Sequence, residues 1–116
     1  MITKGDLEYG DLVWAEFDPS EGHEYKNWRP AIVIQTNSQL RKSNLATIIP
    51  LTSNLNNNGD DILIKADGKN KLKNDSLAKV HYIATFDYRR FVKKCGSLGE
   101  NDLQKIKTYL KLHFGL

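Results

Sequence analysis

Two residues suited to phosphate chemistry stand beside apolar runs of this sequence, Arg29 before one run and Thr52 after another. An arginine guanidinium is planar and permanently charged, and its N–H donors match two oxygens of a phosphate. The hydroxyls of Thr52 and the adjacent Ser53 are donors for a further oxygen. Such preplaced donors stabilise the charge that grows on a phosphorane, and removing one of them costs roughly 3–4 kcal/mol. These residue types suit a site that handles a phosphate, and a purely structural role is also consistent with them, because an arginine beside a proline and a threonine after a strand are common.

A proton acceptor for that reaction is expected in the polar segment that precedes Arg29. This segment contains His23 and Glu24, and either a carboxylate or a neutral imidazole can act as the general base. Arg29 itself is assigned to hold the phosphate, because a guanidinium titrates only above about pH 12. Trp28 is a candidate for stacking on a base, although anchoring the loop is an equally consistent role.

Strands are needed to bring Arg29 and Thr52 together. The first three predicted strands are Asp11–Asp18, Pro30–Thr36 and Ala46–Leu51, which are apolar and rich in β-branched or aromatic residues. Pro30 is placed at the first residue of its strand, where it costs no ladder hydrogen bond. The polar segment Ser20–Trp28 is predicted to be a loop. Arg29 and Thr52 are therefore expected at the ends of neighbouring strands.

The remainder of the chain predicts more short strands and a terminal helix. The further strands are Ile62–Lys65, one or two within Ser76–Phe86, and Phe91-Val92, which stops at Gly96. The helix carries one apolar stripe and lies between Gly99 as its N-cap and Gly115 as its stop. The stripe consists of Leu103, Ile106, Leu110 and Phe114, with Tyr109 and Leu112 beside it as candidates for contact with a partner subunit. This pattern predicts a mainly β protein with a C-terminal helix, built as a small, partly closed antiparallel barrel.

Composition narrows the function classes. The 116 residues predict one domain, 1–116, and a formal charge of +3 permits a nucleic-acid partner without requiring one. Lysines are concentrated in residues 65–79, and a second basic cluster contains Arg89, Arg90, Lys93 and Lys94. An ordinary solvated surface is as consistent with these clusters as a binding surface.

Compartment and cofactor follow from what the sequence lacks. A single cysteine, Cys95, excludes an internal disulfide and fits a reducing compartment. The N-terminus has no signal-peptide core, and no apolar run has the length of a membrane span, so a cytoplasmic protein is predicted. Cysteines and histidines with metal-binding spacing, a glycine-rich phosphate loop and a GxSxG elbow are all absent, so neither metal nor cofactor is expected.

The spacing of five short motifs resembles the signature of MazF/PemK-type toxins: Gly10-Asp11, Asp18-Pro19, Gly22-x-Glu24, Arg29-Pro30 and Pro50-x-Thr52. The similarity continues to Leu116 through Ser76, Ile83, Asp87, Arg90, Gly96 and the terminal helix. It implies an SH3-like barrel of the kind shared with CcdB, and a homodimeric, ribosome-independent endoribonuclease of a toxin–antitoxin pair. The implied reaction is metal-independent cleavage of single-stranded RNA, including mRNA, at a short sequence, by attack of a 2′-hydroxyl. Its products carry a 2′,3′-cyclic phosphate and a 5′-hydroxyl.

The resemblance also implies partners and residue roles. A cognate antitoxin is expected to fill the RNA groove with a disordered, acidic and apolar C-terminal tail, and to link the toxin indirectly to operator DNA. Arg29, Thr52 and Glu24 match the catalytic positions, and the expected RNA-binding residues are His23, Trp28, Ser53, His81 and Tyr82.

One departure from the family pattern concerns the stretch before Ile83. The family often has an acid followed by glutamine there, in a region that lines the RNA groove, whereas this chain has His81-Tyr82. Tyr82 is a candidate for base stacking, and a buried or cross-strand position suits it equally.

Two other classes of protein stay open. One is a non-catalytic barrel that poisons gyrase through its terminal helix, as CcdB does, and the other is a module that binds RNA or protein without cutting.

Overall fold

The computed structural model describes residues 2–17, 27–56 and 61–116, and within these ranges seven strands precede a long C-terminal helix. The strands are β1 (Asp11–Phe17), β2 (Asn27–Val33), β3 (Leu45–Thr52), β4 (Ile62–Ile64), β5 (Ser76–Ala78), β6 (Ala84–Asp87) and β7 (Phe91–Ser97). The helices are α1 (Asn37–Leu40) and α2 (Glu100–Phe114), and two 3-10 turns cover Val80–Tyr82 and Tyr88–Arg90. The mainly β architecture with a C-terminal helix is confirmed.

The strands form one antiparallel sheet in the order β4-β5-β3-β2-β1-β7, and β6 pairs with β3. Within the described ranges, strand pairing does not close this path, because β4 and β7 lie at its two ends. The segment that follows β4 nevertheless approaches β7, where the N–H of Ser97 donates to the carbonyl oxygen of Lys69 at 3.2 Å. The structure therefore confirms a partly closed antiparallel barrel.

The sheet is buried on both faces. Successive residues such as Leu12 and Val13, or Ile48 and Ile49, enter two different apolar clusters because side chains alternate along a strand. The first cluster includes Val13, Ala31, Ile48, Phe86 and Phe91, and the second includes Leu12, Ile32, Ile49, Leu103 and Ile106 from α2. Burial on both sides explains why the strands read as nearly continuous apolar runs in the sequence.

The predicted boundaries of β2, Pro30–Thr36, are wrong at both ends, because the strand spans Asn27–Val33. The strand starts at Asn27, so Trp28 belongs to a strand and not to a loop, and Pro30 is the fourth strand residue. Pro30 pairs with Trp14 of β1, whereas pairing with β3 starts one residue later, at Ala31 opposite Pro50. The first residues of β2 are thus held by pairing with β1 alone. Because this pairing is not a local feature, the sequence around Pro30 does not reveal where the strand begins.

Gly96 lies inside β7 and does not stop the strand, contrary to the prediction. A Cβ atom on Gly96 would lie 2.5 Å from the carbonyl oxygen of Asn70 and 2.9 Å from that of Lys69. The glycine is therefore required by close approach of a second backbone segment, which is another recognised role of glycine within a strand.

The region Ser76–Phe86 divides into two strands separated by the 3-10 turn Val80–Tyr82. The turn stays against β3 because the N–H of Lys79 donates to the carbonyl oxygen of Pro50 at 2.9 Å. Val80 is buried and Ile83 is half-buried.

The terminal helix has the predicted ends. Gly99 is the extended N-cap, and Gly115 adopts the left-handed conformation with φ of 68° that ends many helices. Leu103 and Ile106 are buried against the sheet, whereas Phe114, at the other end of the stripe, is 54% exposed. No helix in the described part of the chain has both the length and the apolar character needed to span a membrane.

Candidate active site

Arg29 of β2 and Thr52 of β3 lie just beyond the pairs that join these two strands. The last observed pair is Ala31 with Pro50, and continuing this antiparallel register by two residues places Arg29 opposite Thr52. On their outer sides, Arg29 pairs with Ala15 of β1, and Thr52 pairs with Leu77 of β5. The arginine and the threonine therefore lie on adjacent strands at one end of the sheet, with further strands on either side.

Both side chains are half-buried, which limits their freedom while leaving them accessible. The Oγ1 of Thr52 accepts a hydrogen bond from the N–H of Asn54 at 3.2 Å, in a turn that follows the strand. Because the oxygen acts as the acceptor in this bond, its own O–H remains a donor for another group. Ser53, the next residue, is exposed and adds a second hydroxyl at the same strand end.

The two candidates for the general base, His23 and Glu24, lie outside the described residues. The start of β2 is described, and it pairs Trp28 with Glu16 of β1. Trp28 precedes Arg29 in β2 and is 36% exposed, so part of its ring surface reaches solvent.

His81 and Tyr82, which the sequence treats as one recognition unit, have different surroundings. The Nε2 of His81 lies 3.1 Å from the Oη of Tyr109, and the ring centroids of His81 and His113 are 5.5 Å apart. His81 therefore contacts α2. Tyr82 is 65% exposed, so its aromatic face is accessible to solvent.

An ion pair near Tyr82 was not predicted. Lys79 and Asp61 form a 2.8 Å contact in which the aspartate side chain is 2% exposed. The Nζ of Lys79 also lies 5.9 Å from the centroid of the Tyr82 ring, within the range of a cation–π contact. The contact follows from the register of β4 with β5, which no local sequence signal reveals: Ile62 pairs with Ala78, and this places Asp61 opposite Lys79. This pair holds a cation beside the exposed tyrosine.

A second arginine lies against the first apolar cluster. The Nε of Arg90 donates to the carbonyl oxygen of Glu16 at 2.9 Å, and its guanidinium carbon lies 3.9 Å from the Phe86 ring centroid. Glu16 pairs with Trp28, so Arg90 fixes the part of β1 that supports the start of β2. Arg90 belongs to the basic cluster noted in the sequence, and it contacts the part of β1 that pairs with β2 next to Arg29.

The surroundings of Asp87 and of Cys95 shift the pKa of these side chains. The N–H and guanidinium of Arg89 lower the pKa of the Asp87 carboxyl through hydrogen bonds. Burial raises the pKa of the Cys95 thiol to about 11, so the thiol is protonated at neutral pH. Among the described residues, no group of three or more His, Cys, Asp or Glu side chains is placed to hold a metal ion.

The fold is that of a small, partly closed β-barrel with a terminal helix against one face, and Arg29 and Thr52 lie on adjacent strands near one end of its sheet. A family model described as "PemK-like, MazF-like toxin of type II toxin-antitoxin system" matches residues 8–114. The chain therefore belongs to this family of toxins.

Known relatives match nearly the whole chain. The endoribonuclease toxin MazF of Escherichia coli (strain K12) is 24% identical over 116 residues, covering 99% of this chain and 100% of the relative. The crystal structure of MazF from Deinococcus radiodurans has a TM-score of 0.78 and 22% identity, and the match covers 95% of this chain and 97% of that one. An endoribonuclease from a mycobacterial species, in complex with its cognate antitoxin, has a TM-score of 0.74 and 15% identity, with coverage of 97% and 96%.

Proposed function

We propose that this toxin is an endoribonuclease that cleaves single-stranded RNA without a metal ion and acts in the cytoplasm. The observation that supports the proposal is that Arg29 and Thr52 lie on the adjacent strands β2 and β3, each two residues beyond their last pair, Ala31 with Pro50. Membership of the toxin family and the name of the Escherichia coli relative support RNA as the substrate.

The proposed reaction is an internal transfer at phosphorus. The 2′-oxygen of the ribose attacks the adjacent phosphorus, a 2′-O–P bond forms, and the bond from phosphorus to the 5′-oxygen breaks. The proton of the 2′-hydroxyl passes to a base, for which Glu24 and His23 are the candidates, and the leaving 5′-oxygen acquires a proton. The products are a 2′,3′-cyclic phosphate and a 5′-hydroxyl.

Arg29 and Thr52 stabilise the charge that develops in this step. The guanidinium of Arg29 binds two non-bridging oxygens, and because it is permanently charged it holds them without moving a proton. The hydroxyl of Thr52 donates to an oxygen that becomes more negative in the transition state, with Ser53 as a neighbouring donor. Tyr82 and Trp28, both with accessible rings, bind bases near the cut, whereas His81 positions the turn through its contact with Tyr109.

The end of α2 supports a homodimer. Leu112, Phe114 and Leu116 are 78%, 54% and 88% exposed, and apolar side chains concentrated at one helix end favour contact with another protein surface. We expect a second copy of the chain to cover these side chains. Light scattering of wild-type and Leu112→Ser protein tests the dimer: a wild-type monomer would contradict it.

A cognate antitoxin is the second expected partner. We expect it to bind in the RNA groove through a disordered, acidic and apolar tail, and to link the toxin indirectly to operator DNA.

The activity is tested by incubating purified protein with a long RNA in EDTA and analysing the ends. We expect discrete cuts whose fragments carry cyclic phosphates and 5′-hydroxyl groups. RNA that is bound but remains intact would overturn the proposal in favour of a non-cutting module. Intact, unbound RNA together with inhibition of gyrase would instead indicate a topoisomerase poison.

A further inference from the structure

The segment Lys65–Asp75 between β4 and β5 is rich in lysine and has a fixed conformation. It carries four lysines against two aspartates. A charged loop of this kind is commonly only a solvated surface, and flexible lysines gain little from meeting a ligand because they lose conformational entropy. A binding surface is the alternative, and the hydrogen bonds of the segment bear on it because they determine how rigid the backbone is.

Asn70 organises the segment from inside. Its side chain is fully buried, and its Nδ2 donates to the carbonyl oxygen of Lys65 at 2.8 Å. Its Oδ1 accepts from the N–H groups of Asp67 and Leu72, both at 3.0 Å. One buried amide therefore joins the beginning, middle and end of the turn, so the backbone that carries the lysines is preorganised.

The two aspartates of the segment are engaged by backbone groups. The Oδ1 of Asp67 accepts from the N–H groups of Lys69 and Asn70, at 2.9 and 2.7 Å. The Oδ1 of Asp75 accepts from the N–H of Ala66 at 2.9 Å. These carboxylates serve as turn-forming acceptors, and neither forms an ion pair with a lysine of the segment.

The lysine side chains themselves are exposed. Within residues 2–17, 27–56 and 61–116, ion pairs involve Lys79, Arg89 and Lys94, but none involves the lysines of this segment. These are Lys65, Lys69, Lys71 and Lys73, all of which are exposed. Their charge is thus available to an outside anion.

The position of the segment connects it with the candidate active site. β5 pairs with β3 at Leu77 opposite Thr52, and with β4 at Ser76 opposite Ile64. The segment therefore leaves the sheet immediately beyond the level of Thr52. Its middle contacts β7, through the Ser97–Lys69 hydrogen bond and the close approach of Asn70 to Gly96. The backbone of the segment thus runs from the strand end of Thr52 toward β7.

We infer that the lysines of Lys65–Asp75 bind phosphates of the RNA strand outside the cleaved step, an inference that rests on the proposed function. A single strand carries one negative charge per nucleotide, and a fixed row of lysines neutralises successive charges without reading bases. This surface contributes affinity and salt dependence, whereas Arg29 and Thr52 determine the rate of cleavage.

The test uses a variant that removes three of these charges, Lys65→Gln, Lys69→Gln and Lys73→Gln. Lys71 is left in place because its φ of 57° is left-handed. The control, Lys4→Gln, Lys42→Gln and Lys105→Gln, removes equal charge from exposed lysines in other parts of the chain. The probe is a 24-nucleotide RNA of random sequence with 2′-O-methyl groups throughout, which blocks the 2′ nucleophile. Its dissociation constant is measured at several salt concentrations.

Each lysine–phosphate contact on a single strand contributes about 0.7 to the slope of log affinity against log salt. We expect the slope of the segment variant to fall by about 2, with binding weakened by up to roughly 100-fold at 0.1 M salt. The slope of the control variant should remain within about 0.5 of wild type. Equal slopes for the two triple variants would overturn the inference.

Two further outcomes are distinguished. Poly-glutamate serves as a second probe: if the segment variant loses affinity for poly-glutamate but not for RNA, the surface belongs to an acidic polypeptide and the inference is wrong. The cleavage assay in EDTA is performed separately on wild-type protein. If wild-type protein cuts RNA while the slopes are equal, only the lysine surface is rejected, whereas failure to cut or bind RNA rejects the proposed function itself.

Discussion

The side chains of His81 and Tyr109 are hydrogen-bonded, with 3.1 Å between Nε2 and Oη. This bond joins the 3-10 turn before β6 to the C-terminal helix, and His113 adds a second ring contact at 5.5 Å. The neighbouring Tyr82 remains largely exposed beside Lys79. Adjacent residues of one short turn are thus divided between a structural contact and an accessible aromatic surface.

We predict that replacing Tyr82 changes which RNA sequences are cut, whereas replacing His81 changes stability. Loss of a stacking ring costs about 1–3 kcal/mol of binding, so Tyr82→Ala should lower affinity roughly ten- to hundredfold. His81→Ala loses a hydrogen bond worth about 1 kcal/mol and should melt earlier. The measurements are a cleavage-site profile on a randomised RNA pool and a melting curve for each variant. Tyr82→Phe is the control, and a Tyr82→Ala protein that melts early with an unchanged profile would contradict the prediction.

Arg29→Lys should lose most of the cleavage activity although the charge is retained. An ammonium group is a point charge and does not make the bidentate contact of a guanidinium. Single-turnover cleavage rates in EDTA measure the effect, with circular dichroism to verify folding. Arg41→Lys, at an exposed position after α1, is the matched control and should cut at the wild-type rate. If Arg29→Lys cuts as fast as the wild-type protein, the bidentate contact of the guanidinium has no role in cleavage.

Thr52→Val should reduce the cleavage rate by roughly 100- to 1000-fold, because it replaces the donor hydroxyl with a methyl group of similar size. Thr52→Ser keeps the hydroxyl and should retain most activity. The rates are compared on the same RNA at saturating protein, so that binding does not contribute. Equal rates for the valine and serine variants would exclude the hydroxyl from the reaction.

Gly96→Ala should destabilise the fold by roughly 1–3 kcal/mol. Its Cβ would lie 2.5 Å from the Asn70 carbonyl oxygen, and the atoms in the way are backbone atoms that do not rotate aside. Gly68→Ala introduces the same methyl group into the same segment with no atom within 4 Å. Urea denaturation of both variants measures the difference. A Gly96→Ala protein as stable as Gly68→Ala would show that the segment moves freely away from β7.

Cys95 should react slowly with iodoacetamide in the folded protein. Burial raises the pKa of its thiol to about 11, and only the thiolate is nucleophilic. At pH 8 we expect alkylation roughly 100-fold slower than for a thiol with a pKa of about 8.5. The rate should rise about tenfold per pH unit until the pH nears the raised pKa. Protein unfolded in urea is the control, and equal rates in the folded and unfolded states would refute the shift.

The amino-acid sequence alone determined the elements whose signals are local. The apolar stripe with Gly99 and Gly115 at its ends defined α2, and the runs rich in β-branched and aromatic residues located the strands. The motif spacing around Arg29 and Thr52 identified the toxin family, which the match over residues 8–114 confirmed. Such features depend on residues within a few positions of one another, so they are readable without knowledge of the folded chain.

Only the tertiary structure decided which distant residues meet. The pairing of β2 with β3 brings Arg29 and Thr52 onto adjacent strands near one end of the sheet, and the approach of Asn70 explains a glycine that resembled a strand end. The contact with α2 separated His81 from Tyr82. Strand register and close backbone approach depend on packing between segments far apart in the chain, and a shift of one residue would reverse every side chain of a strand. The residue types available for chemistry could therefore be identified from the sequence, whereas their arrangement depends on non-local packing.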